Sequence, residues 1–228
     1  MLFRQLFDQE SSTYTYLIAS QQTQFAILVD PVLEQVARDV KLLTELGLKL
    51  NFSLETHVHA DHVTGTSKLR SLTNCHGVVP EKAQVQCADR QIKNGETLMI
   101  GEVSIKAIAT PGHTDSHMTY LVGKDRLLTG DCLLIRGCGR TDFQSGDPGV
   151  LFDSITQKLF TFPDTTLVYP GHDYRGQTVS TIGEEKAFNP RLVNQTRESF
   201  INLMNNLNLP EPQKMSEAVP ANRNCGNV

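Results

Sequence analysis

Several features that would assign this chain to a broad class are missing. No apolar run approaches the roughly 20 residues needed to span a bilayer. The first sixteen residues, Met1 to Tyr16, lack the apolar core of a signal peptide and the Arg- and Ser-rich, acid-poor character of a transit peptide. No basic stretch is present either: the net charge is -4 and the pI near 6.0, which excludes nucleic acid as the dominant partner because phosphate binding calls for a clustered basic surface. The five cysteines, Cys75, Cys87, Cys132, Cys138 and Cys225, are odd in number and show no C-x-x-C spacing. Neither a disulfide framework nor a zinc knuckle is expected, and a reducing cytoplasm is the simplest location. Internal repeats and low-complexity tracts are also absent.

What remains is an ordinary globular composition. With 228 residues, 39% of them apolar and 20% charged, the chain can bury a sizeable core as one domain, 1–228. Its most informative stretch is His57-x-His59-x-Asp61-His62, four metal-ligand side chains in six residues, followed by His113, Asp131 and His172. Imidazole and carboxylate bind zinc or iron at neutral pH, and packing alone gives no reason to gather them.

The order of elements indicates how these residues meet. Alternating runs predict strands at Leu2 to Phe7, Thr13 to Ala19 and Phe25 to Val29. Asp30-Pro31 then reads as the capped start of a helix carrying Val32, Val36, Val40 and Leu43 as far as Gly47. A strand from Leu50 to Thr56 and a short helix from Thr64 to Leu72 flank the His/Asp cluster. Further strands are expected at Thr97 to Ile100, Val103 to Ala109, Met118 to Val122, Arg126 to Thr129 and Thr166 to Tyr169. Helices are expected from Asp147-Pro148, with Leu151, Ile155 and Leu159 on one face, and around Phe200, Met204 and Leu207. From about 208 the tail has no periodicity and reads as irregular chain laid on the surface or as a subunit contact of a homodimer.

One regularity stands out. His57, His113, Asp131 and His172 each follow an apolar run at the point where strand gives way to loop. Loops at one edge of a rigid sheet are where sites are built, so four strand ends are expected to converge on one metal centre.

These residues resemble the metallo-β-lactamase superfamily, whose pattern of H-x-H-x-D-H and later His, Asp and His is complete here. The resemblance implies an α/β fold, a four-layer αββα sandwich of two mixed sheets flanked by helices. Within the superfamily the chain looks like the persulfide (sulfur) dioxygenases over nearly its whole length. The stretches that carry this are Thr56 to Gly65, Thr110 to Thr114, Leu133 to Phe143, His172 to Tyr174 and Asn189 to Leu192. Arg136 to Phe143 and the late Asn-Pro-Arg are far more specific than the first motif.

The resemblance implies one mononuclear Fe(II) held by His57, His113 and Asp131. It implies oxidation of glutathione persulfide by O2 to sulfite and glutathione, in sulfide catabolism or detoxification. Two imidazoles and one carboxylate leave about three open positions, enough for a substrate sulfur and O2 side by side. Arg140 and Arg191 match glutathione-binding positions and suit its carboxylates, and Cys138 and Tyr174 match further substrate-pocket positions. His59, Asp61, His62 and His172 complete a second metal site in dinuclear relatives, whereas here the resemblance makes them groups that orient the ligands of one iron.

Two other readings stand beside this one. A dinuclear hydrolase resembling glyoxalase II would attack a glutathione thioester with metal-bound hydroxide. A metal-stabilised redox sensor without turnover would use Cys138 or Cys132. His117 reads as a satisfied structural group, Cys132 as a small buried apolar residue, and no membrane partner is expected.

Overall fold

The computed structural model describes residues 1–210 and 214–227. The first six strands are β1 (Leu2–Phe7), β2 (Tyr14–Ala19), β3 (Phe25–Val29), β4 (Lys49–Leu54), β5 (His76–Pro80) and β6 (Arg90–Ile92), and they form one sheet in that order. The other six are β7 (Thr97–Ile100), β8 (Val103–Ala109), β9 (Met118–Val122), β10 (Arg126–Gly130), β11 (Leu167–Pro170) and β12 (Ser180–Thr181). They form a second sheet in the reverse order, β12-β11-β10-β9-β8-β7. Both sheets are mixed: β3 to β6 pair in parallel after an antiparallel start, and β10 pairs in parallel with β11 within an otherwise antiparallel sheet.

Six helices complete the described chain: α1 (Val36–Glu45), α2 (Thr66–Thr73), α3 (Pro148–Gln157), α4 (Ile182–Phe188), α5 (Arg197–Asn205) and α6 (Met215–Arg223). Strand periodicity sorts their packing. In β2, Tyr14, Tyr16 and Ile18 point between the sheets to meet Ile105, Tyr120 and Leu128, while Leu17 and Ala19 point outward to Val36, Leu43 and Leu69 of α1 and α2. On the far side, Leu127 and Val168 meet Leu151, Ile155, Ile182, Phe200 and Met204 of α3, α4 and α5. The result is the four-layer αββα sandwich, with its largest core between the sheets.

Three expectations are corrected. Asp30 does not cap a helix: it sits at φ 51°, a 3-10 turn spans Leu33–Gln35, and α1 begins only at Val36. Its carboxylate is turned instead to the loop after β4, where buried donors need an acceptor. The tail is not irregular throughout, since α6 lies within it; residues 211–213 and 228 lie outside the described residues. Pro220 inside α6 removes a helical hydrogen bond and masks the pattern. Finally, Cys87 and Cys225, 138 positions apart in sequence, form a disulfide that spacing alone does not reveal.

By contrast, the Asp147-Pro148 start of α3 is as read. Asp147 accepts from the Val150 N–H at 2.9 Å, and the proline occupies the first turn.

Candidate metal centre

Strand direction brings the site residues together. β8 and β10 are each antiparallel to β9, and β11 is parallel to β10, so β8, β10 and β11 all end at one edge of the second sheet. Just past those ends lie His113, Asp131 and His172. From the first sheet β4 delivers His57, and the backbone of Tyr14 at the start of β2 bonds to the Gly171 carbonyl across the gap at 2.8 Å.

Ligand atoms of His57, His113 and Asp131 lie within 4.8 Å of one another. The orientation of each is set by a group behind it. Thr56 Oγ1 donates to Asp30 at 2.9 Å, so its oxygen accepts the Nδ1–H of His57, also at 2.9 Å, leaving Nε2 of His57 for a metal. His113 Nδ1 donates to the Arg140 carbonyl at 2.7 Å, which frees its Nε2, 3.6 Å from Asp131 Oδ2. The other Asp131 oxygen lies 2.6 Å from His172 Nδ1. Orienting hydrogen bonds of this kind are the usual support of metal-binding imidazoles and carboxylates.

The electrostatics suit a cation. Burial, together with neighbouring imidazoles, holds His57 well below the ordinary histidine range, so it presents a neutral ring. Burial pushes the Asp131 carboxyl up, but His172 and His113 outweigh it and bring it down to about 2. Two imidazole nitrogens and a carboxylate are a donor set that fits a divalent first-row metal.

The remaining motif residues surround this triad. His172 bridges two carboxylates, with Nε2 2.8 Å from Asp61 Oδ2 and Nδ1 on Asp131. Burial disfavours its charged form, yet the two acids raise it well above the usual histidine range. His59 is held similarly: against the cost of burial, Asp30 at 3.1 Å and Glu55 at 3.3 Å keep it well above that range. His62 Nδ1 pairs with Asp61 at 2.8 Å. Among the described residues, His59 Nδ1 and His62 Nε2 are buried without a hydrogen-bond partner. Thr13 joins this network, its Oγ1 lying 3.1 Å from Asp61 and 3.0 Å from His172.

A cavity of about 430 Å³ opens on two members of the triad, His113 and Asp131. His113, Asp131, Asp61 and His172 line its floor, and Cys138, Arg140, Tyr174 and Arg191 line its walls. Arg140 makes two 2.7 Å bonds to Asp142, donates to the Pro210 carbonyl and stacks on Phe143 at 4.4 Å. Arg191 donates to the Cys138 carbonyl at 2.5 Å. Burial pushes the Cys138 thiol up, partly countered by Arg191, so it lines the wall as a neutral group. Tyr174, 74% exposed, lies parallel to His172 with ring centroids 6.1 Å apart. The geometry can seat a metal at the floor and an anionic molecule along the walls.

His117, set aside as structural, has a definite task. Its Nε2 accepts the Asp131 N–H at 3.1 Å and its Nδ1 lies 3.0 Å from Thr110 Oγ1. Gly130 between them is at φ 48°, and a Cβ there would sit 2.6 Å from the His117 ring. Four further residues belong to the site: Asp30, which the sequence reading places at a helix start, and Glu55, Thr13 and Lys214, the last on the cavity rim, to which it gives no role. Only Asp30 carried a sequence signal, an acid at the exit of an apolar strand.

Comparison with known proteins agrees with this geometry. The metallo-beta-lactamase superfamily profile matches residues 9–172. The mitochondrial persulfide dioxygenase ETHE1 of Mus musculus is 48% identical, over 99% of this chain and 89% of its own. The crystal structure of ETHE1 from Myxococcus xanthus, 54% identical and covering 100% of both chains, superposes with a TM-score of 0.97. More distant is a hydroxyacylglutathione hydrolase of Dictyostelium discoideum, 31% identical over 71% of this chain and 62% of its own. The chain is a metal-binding member of the metallo-β-lactamase superfamily and, within it, belongs to the persulfide dioxygenase family.

Proposed function

We propose that this chain is a mononuclear non-haem iron enzyme that converts glutathione persulfide, O2 and water into glutathione and sulfite. The observation that carries the reading is the cavity: its floor presents His113 and Asp131 of the triad, and its walls carry Arg140 and Arg191. Glutathione has two carboxylates, and guanidinium groups bind such anions through charge-assisted hydrogen bonds. His57, His113 and Asp131 would hold ferrous iron, which would supply open coordination positions and redox chemistry for a persulfide sulfur and O2.

The protein groups hold and orient. The Asp30, Thr56, His57 chain and the Arg140 carbonyl fix the two imidazoles, while His172 and His117 fix Asp131 from its carboxylate and its backbone. Cys138 and Tyr174 shape the wall along which the tripeptide would lie. We assign Asp61 and His172, 2.8 Å apart, to a supporting role; His59, Asp61 and His62, whose ligand atoms also lie within 4.8 Å of one another, are where a second ion would bind in a dinuclear alternative. We assign the whole chain to one domain; a homodimer and a cytoplasmic location complete the reading. No helix among the described residues is long and apolar enough to cross a membrane.

The test is metal analysis combined with O2 uptake on glutathione persulfide, with sulfite as the product. Two zinc ions per chain, no O2 uptake and anaerobic hydrolysis of S-lactoylglutathione would favour the glyoxalase II-like alternative.

A further inference from the structure

The loop between β4 and α2 carries His57, His59, Asp61 and His62, and burying it leaves main-chain groups that need partners. Three of those groups are met by one side chain from the opposite end of the sequence. Asn222 of α6 donates from Nδ2 to the His59 carbonyl at 2.9 Å and to the His62 carbonyl at 2.8 Å, while its Oδ1 accepts the Thr64 N–H at 2.8 Å. Asn222 is buried, with 5% of the residue exposed. An amide has both donors and an acceptor, so asparagine suits a task that mixes two carbonyls with an N–H.

Something must hold Asn222 there. Helix α6 has nine residues, an internal proline and no side-chain cap, so its own helical stability is small. It is fixed by tertiary contacts: Ala218 and Ala221 pack on Val63 and Leu33, and Cys225 packs with Val58, Val79 and Val85. The Cys225 carbonyl accepts the Ser67 N–H at 3.0 Å, at the start of α2. Cys225 is then bonded to Cys87, in the segment before β6. Cys87 is half-buried and Cys225 buried, so Cys87 is the more exposed end of the bond.

We propose that Asn222 is a positioning residue for the metal-binding loop and that the Cys87–Cys225 disulfide is a reversible latch holding it in place. The proposal rests on the reading that His57 in this loop is a metal ligand. A low-molecular-weight thiol opens the latch by thiol–disulfide exchange: its thiolate attacks one sulfur, the Cys87–Cys225 bond breaks, and a second thiol resolves the mixed disulfide. Two electrons and two protons pass to the cysteines, and the thiol leaves as its own disulfide. With the latch open, α6 is freer to lift, the His59 and His62 carbonyls lose their donor, and the loop holds His57 less firmly.

The experiment measures metal release to a chromophoric chelator from metal-loaded full-length protein, well below the melting temperature. Five samples are compared: oxidised wild type, wild type reduced with dithiothreitol and desalted, Cys87→Ser, and Asn222→Ala before and after the same reduction. Melting curves are recorded alongside. Asn222→Ala should release metal about 10- to 100-fold faster, as expected for loss of a ligand-orienting partner. Reduced wild type and Cys87→Ser should release it faster by a smaller factor, and reduction should add nothing in Asn222→Ala, because both act through one contact. Turnover should fall in kcat with KM unchanged.

A purely structural role would lower the melting temperature and leave metal release at wild-type speed, and that result overturns the proposal. So does an equal acceleration by reduction in wild type and Asn222→Ala. Cys87→Ser opens the latch while keeping Asn222 and every residue of the loop, and decides the matter if Asn222→Ala does not fold. A wild-type protein that binds no metal overturns both this proposal and the proposed function; metal that is bound but released at one rate in all five samples overturns this proposal alone.

Discussion

His113 Nδ1 lies 2.7 Å from the carbonyl oxygen of Arg140, so the imidazole proposed to bind iron is oriented by the backbone of the residue proposed to bind substrate. The two roles reside in different atoms of Arg140. Arg140→Ala removes the guanidinium and keeps the carbonyl. It should raise KM for glutathione persulfide by about tenfold, the equivalent of roughly 1.4 kcal/mol, while iron content stays at the wild-type level. A wild-type KM in the iron-replete variant excludes the role.

The neighbouring position should behave in the opposite way. A Cβ on Gly139 would lie 2.3 Å from the Asp131 carbonyl oxygen and 2.8 Å from His113 Nδ1. Gly139→Ala should therefore displace two ligands at once and lose metal, as should His113→Ala, which removes a ligand outright. Metal content after purification under iron-replete conditions checks both. Full occupancy in His113→Ala removes His113 from the ligand set.

His117 makes a pH prediction. Burial and the nearby His113 lower it from 6.5 to about 3. Between those values the unfolded chain takes up a proton that the folded chain refuses, so stability is fully present above about 6.5 and falls as the pH drops, by at most about 1.4 kcal/mol per pH unit. Gln at this position can accept the Asp131 N–H without titrating. Denaturant midpoints measured between about pH 7 and about pH 5 should fall less steeply in His117→Gln than in wild type. Parallel slopes contradict the assignment.

Thiol reactivity should divide the cysteines. Burial raises the Cys132 thiol far above the ordinary range and also raises Cys138, despite Arg191 beside it. Iodoacetamide at neutral pH should leave both unmodified in the native protein and label both after denaturation, read by mass spectrometry. Fast native labelling of Cys132 or Cys138 supports the redox-sensing alternative instead.

The positions of His57, His113, Asp131 and His172 were legible because each follows an apolar run, and strand ends at one sheet edge meet in space. The helix start at Asp147-Pro148 was legible because its cap is local. Asp30-Pro31 looked the same and differs because Asp30 satisfies Thr56 and His59 across the fold, a demand that local sequence does not display. Strands β5 and β6 are short and lack alternation, and β5 ends at Pro80; both escaped a reading based on periodicity. Helix α6 escaped it too, because contacts with the metal loop and Cys87, rather than an apolar stripe, define its place.

The central claim is that one iron at His57, His113 and Asp131 oxidises a glutathione persulfide. The most direct measurement follows O2 uptake and sulfite release by protein of known metal content, given a known amount of glutathione persulfide. The account predicts one iron per chain, and one O2 consumed and one sulfite formed for each persulfide. Protein with a full iron complement that consumes no O2 and forms no sulfite from this substrate would contradict it.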